Sequence, residues 1–229
     1  MSIKKDESIH EIMSDFEKLA NVVLESLDFM EHFITSGELA IPEEVLEKIV
    51  KNEKDINKME VKLSDKIVNT IVLQQPMASE IRKLMSCYRI LINIERIGDR
   101  IINVTEFIKK IKTPELYQAF HEVYSNTVML SFKMVRRSII CFIQNDVELA
   151  IWTIKNDSVV DELNEKLLKK LVKKADGEEA NKQLLVSVIT MKEMMSNFER
   201  IGDYATNIAE AAIYAIEGRD LRHKTLEDE

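Results

Sequence analysis

Glu95-Arg96-Ile97-Gly98-Asp99 recurs letter for letter as Glu199-Arg200-Ile201-Gly202-Asp203, an offset of 104 residues (199 − 95). Each copy continues with Asn four residues after the Asp (Asn103, Asn207) and Glu three after that (Glu106, Glu210). At about 100° per residue on a helix, Glu, Asp, Asn and Glu fall at roughly 0°, 40°, 80° and 20°. One narrow stripe thus carries four oxygen-bearing side chains, three of them acidic, and the chain builds it twice. Such a stripe repels itself unless positive charge sits against it.

Outward from the motif the repeat continues at the same offset. Lys51-Asn52-Glu53 aligns with Lys155-Asn156-Asp157, Leu63 with Leu167, and Asn93 with Asn197. Phe33 matches Phe142 at an offset of 109, so the first half carries about five extra residues near Gly37–Pro42. The chain therefore divides into two related units, 1–112 and 113–229.

Apolar residues recur every three or four positions: Ile9, Ile12, Phe16, Leu19, Val23, Leu27, Met30 and Ile34 form one such seam. Sustained alternation is absent, and glycine and proline sit mostly at breaks. Gly37 and Pro42 bracket a loop, and Pro76 marks another. Thr113-Pro114 reads as an N-cap and first turn; Asp176-Gly177 and Gly218 read as helix ends. Six long helices are expected, at about 8–36, 42–73, 77–112, 114–145, 147–175 and 178–218. The fold class is all-α: two pseudo-symmetric, antiparallel three-helix bundles. Gly98 and Gly202 are the exceptions inside helices, where glycine costs about 1 kcal/mol relative to alanine. They are expected to permit close helix approach and bring the acidic stripe against a neighbour.

Composition narrows the function. A net charge of −8 and the lack of a dense Lys/Arg tract argue against a nucleic-acid partner; Lys169-Lys170 and Lys173-Lys174 read as a solvated face. No apolar run reaches a membrane span, and MSIKKDES shows no secretory h-region, so a cytoplasmic location is expected. Cys87 and Cys141 are expected to be reduced core thiols.

The preceding helix of each unit has a stripe of its own: Glu53, Asn57 and Glu60 in the first, Asp157, Asp161 and Asn164 in the second. With antiparallel packing the stripes face each other. The candidate ligands are Glu53, Glu60, Glu95, Asp99 and Glu106, and Asp157, Asp161, Glu199, Asp203 and Glu210. Asn57, Asn103, Asn164 and Asn207 are weaker or supporting donors. Two readings stay open: a solvated acidic face with flanking ion pairs to Arg96, Arg100 or Arg200, or a hard-cation site. All-oxygen donors suit magnesium, manganese, calcium or iron. A di-metal enzyme of the ferritin type would need two E-x-x-H motifs, and only Glu7–His10 exists, outside the repeat. His32, His121 and His223 read as surface or packing residues. No phosphate-cradling glycine loop or nucleophile elbow is present.

These residues resemble the PhoU family of bacterial phosphate-signalling regulators over nearly the whole chain. The likeness rests on the doubled motif, on Glu53-Lys54-Asp55-Ile56-Asn57-Lys58-Met59-Glu60-Val61, on Gln75-Pro76, and on Gly218-Arg219-Asp220-Leu221-Arg222-His223. The resemblance implies multinuclear iron or zinc bound at positions matching Glu95, Asp99, Glu199 and Asp203, with Glu53, Asp157 and Asp161 on the preceding helices. Asn57 stands where the second unit has Asp161, so the second cluster is expected to be the stronger. The resemblance also implies regulation without catalysis. Its partners would be a phosphate-specific ABC transporter and a membrane sensor histidine kinase, with phosphate-starvation genes held off when phosphate is plentiful. Related domains serve other phosphate transporters, including sodium-coupled ones, and that role is the alternative. A homodimer is left open.

Overall fold

A computed structural model describes residues 2–176 and 182–221 of the chain. Six helices make up its regular structure: α1 (Ser2–Ser36), α2 (Glu43–Gln74), α3 (Ala78–Ile108), α4 (Pro114–Gln144), α5 (Val147–Asp176) and α6 (Lys182–Glu217). Gly177, the expected start of the sixth helix at 178, and Arg222-His223 lie outside the described residues. The fold is two three-helix bundles, α1–α3 and α4–α6.

Local chemistry sets most helix ends. α1 and α6 stop at glycines in the left-handed region, Gly37 (φ 78°) and Gly218 (φ 75°). α2 ends at Gln75 (φ 47°), whose N–H bonds to the Ile71 carbonyl, and Pro76 then bars continuation. α4 ends at Asn145 (φ 58°), one of the few side chains that tolerate this conformation. α3 stops four residues earlier than expected. Lys110 N–H bonds to Phe107 O (2.9 Å) and Ile111 N–H to Ile108 O (3.2 Å), tight turns that break the helix before Pro114. α1 starts earlier than expected, and an ion pair from Lys5 to Glu80 (2.8 Å) ties its first turn to α3. Thr113 flanks Pro114 without capping α4 through its side chain. Its hydroxyl instead accepts from Ser187 of α6 (3.1 Å), while Ser187 accepts the Lys112 N–H (2.9 Å).

The halves meet along two helix pairs, α3 against α6 and α1 against α4. Their buried apolar residues form one continuous cluster. Phe16 of α1 meets Phe142 of α4 edge-on at 5.1 Å, so the two cores merge. Burying this seam supplies roughly 1.5–3 kcal/mol for each large apolar side chain removed from water. The fully buried Tyr124 satisfies its hydroxyl by donating to Met191 O (2.9 Å). His121 is a packing residue: its Nε2 lies 2.8 Å from Ile34 O. His32 is exposed, and both cysteines are buried and free.

Each interior glycine faces an apolar side chain of the preceding helix. An added Cβ at Gly98 would lie 3.4 Å from Ile56 Cδ1; at Gly202 it would lie 3.7 Å from Val160. These are ordinary van der Waals distances. The helices do run close at both points, yet close approach alone does not demand glycine there.

Candidate metal centres

The acidic stripes come together as hairpins. α2 lies against α3 and α5 against α6, and the Ile56–Gly98 and Val160–Gly202 contacts set the antiparallel registers. In the first hairpin Glu95 is half-buried, and its carboxyl is pushed above the usual range by desolvation, then by the charges of Asp99, Glu60 and Glu53; Arg96 acts the other way. The amide of Asn57 donates to Glu53 Oε1 (2.6 Å), and Ser64 donates to Glu60 Oε1 (2.9 Å). Asn57 Oδ1 is buried without a hydrogen-bond partner, so a free oxygen donor lies inside the acidic group.

The second hairpin is more strained. Three carboxyls are raised, each mainly by desolvation. Asp157 is pushed further by Asp203, Asp161 and Glu199, Asp161 by Asp203, and Glu199 by Asp161 and Asp203. Relief is partial: Thr206 donates to Asp157 Oδ1 (3.1 Å), Asn164 donates to Glu199 Oε2, and Arg200 Nη1 pairs with Asp203 Oδ2 (3.0 Å). The Arg200–Asp203 pair is the flanking ion pair that a solvated face would use. Arg200 pairs with one of the four acids, and its charge also draws the Glu199 carboxyl down.

Not every candidate joins these groups. Glu106 is exposed and paired with Lys109 (2.7 Å), and Asn103 is exposed. Glu210 is half-buried further along α6 and is not among the charges that raise Asp157, Asp161 or Glu199. Asn207 turns toward α3 and donates to Asn93 Oδ1 (3.4 Å). At 80° it lies at the edge of the stripe, where the second neighbouring helix competes for it. Thr206 and Ser64 were not among the sequence candidates. Both share the acidic angular sector, seven residues after Glu199 and eleven after Glu53, so their spacing carried the signal.

The donor chemistry fits a hard cation: carboxylates, an amide oxygen without a partner, and proton affinities raised by burial first and by neighbouring carboxylates second. Among the described residues, no three carboxylate, imidazole or thiol groups already converge as a coordination sphere. The patches are open, and holding an ion would require side chains to turn inward.

Comparison with known proteins then decides the family. The model of the PhoU domain matches residues 16–108 and 129–212. The chain belongs to the PhoU family. Among similar proteins, the phosphate-specific transport system accessory protein PhoU homolog of Aquifex aeolicus is 29% identical over 227 residues, covering 99% of each chain. The homolog of Pseudomonas aeruginosa is 27% identical, covering 96% of this chain and 93% of its own. The crystal structure of PhoU from Pseudomonas aeruginosa superposes with a TM-score of 0.81 at 22% identity, covering 93% of this chain and 99% of that one. That of the phosphate transport system regulatory protein PhoU from Streptococcus pneumoniae gives 0.79 at 21%, covering 94% and 98%. These two likenesses confirm the six-helix fold.

Proposed function

We propose that this PhoU-family chain is a negative regulator of phosphate uptake and phosphate-starvation signalling, a metal-binding adaptor between a phosphate transporter and a membrane sensor kinase. The observation that carries the reading is the family match across both repeats, with relatives named as accessory proteins of phosphate-specific transport. No helix among the described residues is long and apolar enough to cross a membrane, which accords with a partner that docks on membrane proteins from the cytoplasm.

The acidic hairpins are the proposed cation sites. In the second, Asp157, Asp161, Glu199 and Asp203 would hold the ion; Thr206 orients Asp157 and Asn164 orients Glu199. In the first, Glu53, Glu60, Glu95 and Asp99 would do so, with Asn57 Oδ1 as the neutral donor. A bound iron, zinc, manganese or magnesium ion would supply the positive charge these carboxylates lack. Deleting the gene tests the regulatory reading. High-affinity phosphate uptake should then become derepressed in phosphate-rich medium, and unchanged uptake with unchanged starvation-gene expression would contradict it.

A further inference from the structure

The seam between α3 and α6 carries a different chemistry from the acidic hairpins. Asn207 of α6 donates to Asn93 of α3, and the Arg96 guanidinium lies over the Tyr204 ring at 5.8 Å from its centroid. The pairs Asn93–Asn207 and Arg96–Tyr204 belong to one antiparallel register. One more turn along α3 and one back along α6 set Arg100 opposite Arg200. The angles agree: Asn93, Arg96 and Arg100 lie within about 60° of one another on α3, as do Arg200, Tyr204 and Asn207 on α6.

The internal repeat sharpens this. Arg100 and Tyr204 are equivalent positions, as are Arg96 and Arg200. On one side of the pseudo-two-fold the seam pairs arginine with tyrosine, a favourable cation–π contact. On the other the tyrosine is replaced, and the register sets Arg100 opposite Arg200. Arg100 is half-buried, its Nε screened from water, and it has no hydrogen-bond or acidic partner among the described residues. Arg200 spends one nitrogen on Asp203 and is otherwise exposed, which keeps the site open to solvent. Two arginines set opposite each other in this register, each with donors unused, favour an anion between them. A tetrahedral oxyanion matches their planar forks.

We infer that the α3–α6 seam holds a phosphate-type oxyanion between Arg100 and Arg200. The group could arrive as free inorganic phosphate or on a nucleotide. The inference deepens the regulator reading by naming a ligand, and it touches the acidic hairpins at one point, the Arg200–Asp203 pair. Its failure would leave that reading to stand or fall on the uptake experiment.

Calorimetric titration of the full chain at low ionic strength provides the test, with inorganic phosphate in one arm and a nucleoside diphosphate in the other. One saturable equivalent per chain is expected in at least one arm, and the tighter arm names the source. Arg100→Tyr copies the Arg96–Tyr204 pair, so it should fold, melt no lower than the parent and bind at least tenfold more weakly. Arg100→Lys, which keeps the charge, should bind within about threefold of the parent, given that lysine still binds phosphate as a point charge. Tyr204→Arg should add a second equivalent by recreating the arginine pair on the other side. Absence of binding in both arms, or undiminished binding by Arg100→Tyr, would overturn the inference.

Discussion

The α2–α3 and α5–α6 hairpins descend from one pattern, yet they handle crowded negative charge differently. In the first, the Asn57 amide donates to Glu53, and the Glu95 carboxyl is raised. In the second, Asp161 keeps its charge and three carboxyls are raised. Two exchanges at equivalent positions separate the patches: Asn57 stands against Asp161 and Glu60 against Asn164, so each hairpin keeps four acids but places its amide differently. Stability is given up where a cation has most to gain.

Neutralising one equivalent position in each hairpin should break this comparison most visibly. Asp157 is half-buried, and its carboxyl sits above the usual aspartate range because burial penalises the charged form. That penalty is fully present at pH 7, fades as pH falls through the raised folded-state value, and is gone below the unfolded one. Asp157→Asn, which still accepts from Thr206, should therefore raise the metal-free melting midpoint at pH 7 by about 3 °C, the order that 1 kcal/mol produces in a chain of this size. Towards pH 4 the gain should shrink, and it should vanish only below the unfolded-state value. Glu53→Gln should give no such gain, because Asn57 already serves that carboxylate. Melting curves of both variants across pH 4–7 check the sign, and equal behaviour of the two would erase the difference between the hairpins.

The interior glycines give a smaller contrast. Gly202→Ala places a methyl in ordinary contact with Val160 and should gain up to about 1 kcal/mol from helix propensity. Gly98→Ala meets Ile56 Cδ1 at the near edge of that range and should gain less. Urea unfolding of the two variants measures the gap. A large loss in either would show that the glycine serves a closer contact than Ile56 or Val160 provides.

Much of the fold was legible because helix periodicity and end signals are local. Gly37, Pro76, Pro114 and Gly218 each mark an end where the chain turns, and the 104-residue offset exposed the two bundles. The acidic core of each site was legible for the same reason, since offsets of four and seven already share a face. What lay beyond reach depended on packing between the repeats. Asn207 and Arg96 lie at the edges of their stripes, and only the docking of α3 on α6 turns them toward Asn93 and Tyr204 rather than toward the acids. Glu106, on the stripe by angle, stays at the surface and pairs with Lys109.

The most direct test of the central claim is a manganese titration of the metal-free chain beside two variants. One carries Glu53→Gln, Glu95→Gln and Asp99→Asn, and the other carries Asp157→Asn, Glu199→Gln and Asp203→Asn. The second variant should lose the tightest binding step, weakening it at least tenfold, while the first keeps that step within about threefold. Identical isotherms for all three proteins would contradict a metal role for the acidic hairpins.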